Sequence, residues 1–240
     1  LAPPAPNQGG IVRADRLKAG VGYREVVQFP PINQFAPALD RAMEALAGTK
    51  ALIIDLRRNG GGSPESVAYL VSHFTKASKP LHLNDIIWRN PSTETFRTQR
   101  FFTVSTRAKY PKRPVYVLVS HDTFSAGEEC AYDFQTQKLA TIVGEVTGGG
   151  ANPGAMVRLS SELLMIVPTG RALNPVTNTN WEGHGVFPEI RTPSADALKI
   201  ALRRLGVRVE SRDIDDLSRE ALFTPTPPVP GSRTPAAGHP

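Results

Sequence analysis

The chain has 240 residues, a formal net charge of +6, 40% apolar residues and one cysteine. That length holds one large domain or two small ones. A lone cysteine excludes an internal disulfide, and no apolar run approaches the ~18 residues a membrane-spanning helix needs. The basic residues are scattered and form no aromatic-studded motif, which argues against a nucleic-acid partner and leaves acidic or neutral ones.

Residues 1–10, LAPPAPNQGG, read as a flexible leader. Residues 21–29 form the first candidate strand, stopped by Pro30-Pro31. Phe35, Leu39, Ala42, Met43 and Leu46 repeat at helical spacing, with Pro37 expected in the first turn and Gly48 just past the end. Residues 51–56, ALIIDL, are a buried-type strand followed by Arg57-Arg58-Asn59-Gly60-Gly61-Gly62. Ser63 then caps, and Pro64 opens, a helix with an inner stripe of Val67, Leu70, Val71 and Phe74. Residues 80–110 suggest an exposed β-hairpin.

Residues 115–119 make another short strand, broken by Ser120-His121-Asp122-Thr123. Ala126, Cys130 and Phe134 then mark a helix over 126–137, with Cys130 on its inner face as core. A strand over 139–143 leads to Gly148-Gly149-Gly150. Strands are expected at 155–159 and 163–167, a polar asparagine-rich loop at 171–185, a helix at 194–205 and a short helix at 214–223. Residues 224–240 are proline-rich and expected to be disordered. The core thus spans 11–223. Strands alternating with helices imply an α/β fold with a mainly parallel sheet covered by helices, plus a small β-rich segment.

The chemistry centres on Ser125, where a strand turns into a helix. A serine there is either a helix cap or a nucleophile presented at the positive end of the helix. Ser125-Ala126-Gly127-Glu128 fits a capping box. The same strand–turn–helix setting also presents catalytic serines. The glycines after ALIIDL leave backbone N–H groups free to converge on an anion. A nucleophile and an oxyanion hole can be built from these two turns, each donor of such a hole contributing about 3 kcal/mol to the transition state.

The ordered segments ALIIDLRRNGGGSPESV, TFSAGEE, IVGEVTGGGANP and GRALNPVTNTNWEGHGVFPEI resemble the successive motifs of the C-terminal processing (tail-specific) serine peptidases. The similarity runs over roughly residues 20–205 and is nearest to the branch that includes the repeats of interphotoreceptor retinoid-binding protein and the tricorn protease core. It implies a crotonase/ClpP-like spiral core without the family's PDZ insertion or upstream helical bundle. By the resemblance Ser125 is the nucleophile. The oxyanion donors are the N–H groups of Gly61 or Gly62 and of Ala126, and Glu128 orients the base or caps the helix. The family lysine falls at Gly150 and the tricorn-type first-strand histidine is absent from Gly22-Tyr23-Arg24-Glu25-Val26. The downstream glutamate of that branch corresponds to Glu182. His184 and His121 are the histidines that could replace the missing base.

The implied activity is hydrolysis of peptide or unfolded-protein substrates through an acyl-enzyme. The alternative is a weakly active or inactive module that binds a hydrophobic small molecule or a peptide. No HExxH or paired-cysteine pattern suggests a metal, RNGGGSPE lacks the lysine and spacing of a phosphate loop, and no cofactor is expected. The resemblance further implies export to a periplasmic or extracellular location.

Overall fold

A computed structural model describes residues 8–207 apart from 76–78, 91, 108 and 111–112. Most of the leader, the helix expected at 214–223 and the proline-rich tail at 224–240 lie outside the described residues.

The central sheet contains β1 (Ile11–Arg16), β2 (Val21–Val26), β3 (Ala51–Asp55), β6 (Val115–Val119), β7 (Thr141–Gly144) and β11 (Ile190–Arg191), in the order β1-β2-β3-β6-β7-β11. Only β1 runs antiparallel to its neighbour. Every residue of β2 and β3 is buried, the signature of parallel strands covered on both faces. Three helices, α1 (Ile32–Ala45), α2 (Pro64–Ser72) and α3 (Ala126–Thr136), supply Phe35, Leu39, Val67, Leu70, Cys130 and Phe134 to one continuous core with Leu52, Ile54, Val117 and Ile142 of the sheet. The alternate residues Ile53, Leu118 and Val143 point the other way, where α4 (Ser194–Arg204) packs on β6 and β7.

A second sheet, β10-β4-β5, joins β4 (His82–Arg89), β5 (Phe96–Phe102) and β10 (Gly170–Leu173). The β4–β5 hairpin is half-buried rather than exposed, because Leu83, Ile86 and Phe101 enter the core. The remaining pair, β8 (Gly154–Arg158) and β9 (Leu164–Pro168), is a separate two-stranded hairpin.

Several local expectations change. β1 was not expected, because only Ile11 is fully buried and the strand alternates with charged residues at an edge. β10 lies inside the expected polar loop, and only Ala172 of its four residues is buried. Pro37 lies within α1 rather than in its first turn, because the helix starts directly after Pro31. The expected strand at 21–29 stops at Val26. Phe29 still makes a bridge to Gly62 and so ties the strand's continuation to the glycine turn.

Candidate active site

Two turns at the ends of β3 and β6 meet at Ser125. Asn59 holds them together. Its amide nitrogen donates to the Val26 carbonyl at 3.0 Å, its Oδ1 accepts from Gly61 N–H at 2.9 Å, and its carbonyl accepts from Phe124 N–H at 2.9 Å. Thr123 adds a bond from its hydroxyl to the Leu56 carbonyl at 2.8 Å. The approach is close enough to require glycine. A Cβ at Gly61, where φ is +107°, would lie 2.8 Å from the Ser125 Cβ, and one at Gly62, where φ is +137°, would lie 1.9 Å from the Phe29 carbonyl oxygen.

Ser125 itself has φ 54° and ψ −119°, a left-handed conformation that costs a non-glycine residue of order 1–3 kcal/mol. The strain is held by bonds on either side. Ser125 N–H donates to Glu128 Oε2 at 2.9 Å, and the Ser125 carbonyl accepts the first α3 bonds from Glu128 and Glu129 N–H, each at 2.9 Å. One turn both caps the helix and presents the serine at its start, so the two sequence readings of Ser125 do not compete.

Of the expected oxyanion donors, Gly61 N–H is occupied by Asn59, whereas Gly62 and Ala126 line the same cavity as Ser125. Ala126 is the first residue of α3, so its N–H has no partner within the helix.

Glu128 is fully buried and accepts four hydrogen bonds: from Ser125 N–H, from the Thr147 hydroxyl at 2.5 Å, and from Gly149 and Gly150 N–H at 2.7 and 2.8 Å. It fastens the glycine loop to the start of α3. Glu182 holds that loop from the other side, accepting from Ala151 and Asn152 N–H at 2.6 and 2.9 Å. Trp181 Nε1 donates to the Gly150 carbonyl at 3.2 Å and Gly183 N–H to the Gly149 carbonyl at 2.9 Å. At Gly150, the family lysine position, a Cβ would fall 2.2 Å from the Phe124 ring, so that space is already filled.

The histidines stand apart from the serine. The His184 ring is exposed and its Nδ1 lies 2.8 Å from the Glu182 carbonyl oxygen, which can only accept. Nδ1 therefore carries the proton, leaving Nε2 as an acceptor. His121 is exposed, and its backbone N–H donates to Glu145 Oε2 at 3.3 Å. No histidine, lysine or carboxylate side chain among the described residues hydrogen-bonds the Ser125 hydroxyl.

The cavity beside Ser125 has a volume of about 290 Å³. Its walls include Trp88, Phe101 and Trp181, and its polar lining includes Glu129, Glu65 and Asn84. None of these six residues was expected at a site. Glu129 had a usable signal, because it follows Ser125 by one helical turn and so shares its face. The others come from α2, β4, β5 and a distant loop, and only the tertiary fold brings them to the serine. Burial pushes the Glu129 carboxyl up to about 8, with the neighbouring Asn84 amide acting in the opposite direction and Glu65 adding to the rise. One turn further on, burial and then Glu129 raise the Asp133 carboxyl as well.

Residues 20–192 match the sequence profile of Peptidase family S41. The chain belongs to that family. Solved structures with a similar fold include the photosystem II D1 C-terminal processing protease, with 21% identity, 77% of this chain and 48% of that chain covered, and a TM-score of 0.59. A putative S41 protease from Bacteroides fragilis shows 16% identity, 90% and 59% coverage and a TM-score of 0.62. A lipoprotein from Streptococcus agalactiae shows 17% identity, 82% and 70% coverage and a TM-score of 0.60. The chain thus spans about half the length of the processing protease it matches. No described helix is long and apolar enough to cross a membrane.

Proposed function

We propose that this S41 chain is a serine endopeptidase in which Ser125 is the nucleophile. The observation that carries this reading is the strained Ser125 turn, which opens a helix on the wall of a cavity shared with Gly62 and Ala126. Ser125 Oγ attacks the substrate carbonyl carbon and forms the Oγ–C bond. The oxyanion is held by the N–H groups of Gly62 and Ala126. The base takes the Oγ proton and passes it to the leaving amine as the C–N bond breaks, and water then hydrolyses the ester by the same route in reverse. Gly61 acts as a spacer, because its N–H is committed to Asn59.

Of the two histidines, His184 suits the base better, because its bond to the Glu182 carbonyl leaves Nε2 as the acceptor. Glu182 then places both the glycine loop and the histidine-bearing turn, while Glu128 acts as a positioning residue. Export is the location this reading carries, by analogy with the lipoprotein and the processing protease among the similar structures.

Fluorophosphonate labelling read by intact mass tests the reading. The parent should gain one adduct, with loss of fluoride, and Ser125→Ala none. His184→Gln should slow labelling about 10²–10⁴-fold, the usual contribution of a general base. An unlabelled but folded parent would count against an activated serine. Slowing by His121→Gln instead would move the base to His121.

A further inference from the structure

The cavity beside Ser125 has a chemistry that family membership does not specify. In a chain of net charge +6, its lining holds two carboxyl groups, Glu65 and Glu129, and no lysine, arginine or histidine. The Glu65 carboxylate already accepts from the Ser63 hydroxyl at 2.6 Å and from the Gln99 amide at 3.2 Å. Glu129 is different. It is buried, and the Asn84 amide beside it is the one neighbour that favours its charged form. Beside it Asn84 is 1% exposed, and neither its amide nitrogen nor its amide oxygen makes a hydrogen bond. A buried amide with both ends unpaired costs of order 1–3 kcal/mol per lost partner, and such groups are rare unless something else completes them. The walls around this pair are the aromatic rings of Trp88, Phe101 and Trp181, with Ile86 and Ala172.

We infer that this cavity is a specificity pocket for a basic side chain, that of the lysine or arginine whose carbonyl Ser125 attacks. The aromatic and aliphatic walls suit the alkyl stem of such a side chain and the face of its cation. Its N–H groups reach the Glu129 carboxyl, which gives up its proton as the cation enters, and the Asn84 oxygen, which otherwise lacks a partner. The volume of about 290 Å³ is at the low end for small-molecule sites (~300–1,000 Å³), which fits one long side chain and not an extended apolar ligand. Ser125, Ala126 and Gly62 line the same cavity, so a carbonyl attacked by Ser125 has its side chain beside Glu129. The inference rests on the peptidase reading for the identity of the occupant, but the recognition of a cation does not need hydrolysis.

The test therefore reads binding in a protein that cannot react. Ser125→Ala is titrated with p-aminobenzamidine, whose fluorescence rises in apolar surroundings, and n-butylguanidine and n-pentanol are used as competitors. Saturable binding displaced by n-butylguanidine and not by n-pentanol is expected. Adding Glu129→Gln should weaken binding at least 10-fold. Adding Asn84→Leu should weaken binding while raising the melting temperature, because it removes an unpaired buried amide. A purely structural Asn84 would not give that opposition of signs. Equal displacement by n-pentanol, or full-strength binding in a folded Glu129→Gln protein, overturns the pocket. Binding as expected in a parent that no fluorophosphonate labels supports the pocket and removes the hydrolytic reading instead.

Discussion

Glu128 and Glu129 are consecutive, both buried, and opposite in what surrounds them. On the Glu128 side of α3 four donors converge on one carboxylate and join the Ser125 turn to the glycine loop. On the Glu129 side a carboxyl faces a cavity beside an amide with no partners. One side is closed and complete, the other open and incomplete. The difference separates two kinds of buried acid. A saturated carboxylate ties the turns together, whereas one that lines a cavity is open to an occupant.

The largest effect should come from breaking the complete side. Glu128→Ala leaves four buried or half-buried donors without an acceptor, each costing about 1–3 kcal/mol. We expect a loss of about 4 kcal/mol or more and a melting temperature lower by roughly 10 °C or more. Fluorophosphonate labelling should be lost at temperatures where the protein is still folded, because the glycine loop and the Ser125 N–H lose their common anchor. A melting point close to that of the parent would mean that the four bonds contribute little.

Glu129→Gln tests the incomplete side, with a smaller effect of distinctive pH dependence. Burial raises the folded carboxyl from its ordinary 4.5 to about 8, so between those values the native state keeps a proton that the unfolded chain has released. Stability therefore falls as pH rises from about 4.5 to about 8 and levels off above it. Glu65 and Asp133 face the same group, and Asp133 is raised in the same direction. The loss should amount to a few kcal/mol in the parent. It should shrink by half or more in Glu129→Gln, which puts a neutral amide where the carboxyl was nearly neutral already. Denaturant titrations at pH 5, 6.5 and 8 measure it, and equal slopes in the two proteins would break the contrast.

The same comparison shows what could be read from the sequence. The strand at residues 115–119 and the helix after Ser125 were legible because a β-branched run, a polar break and helical spacing follow each other without ambiguity. The two glycine turns were legible as places of close backbone approach. That the Gly61 N–H is already taken was not, because it depends on Asn59 folding back onto Gly61, and a side-chain bond of that kind leaves no periodic trace. Glu128 was read correctly as a partner of the Ser125 cap, but its three further donors arrive from the loop around Gly149, about twenty residues on. Glu129 and Asn84 are a harder case, being joined only by the inward face of the β4–β5 hairpin. That hairpin reads as exposed because its sequence alternates polar and apolar residues, and it is half-buried because Leu83, Ile86 and Phe101 pack into the core.

Cys130 gives the smallest and sharpest test of where the open side ends. It directly follows Glu129 on α3 but points into the core, fully buried, and burial together with Asp133 and Glu129 pushes its thiol well above the ordinary value. A thiol in that state has almost no thiolate near neutral pH and no access to reagents. Cys130→Ala removes a single sulfur from the core and should cost about 1 kcal/mol by denaturant unfolding. In the native parent a maleimide should react with Cys130 only on the timescale of unfolding. Rapid labelling under native conditions would mean that solvent admitted through the cavity passes Glu129 and enters the helix–sheet core. The boundary drawn between the two sides of α3 would then be wrong.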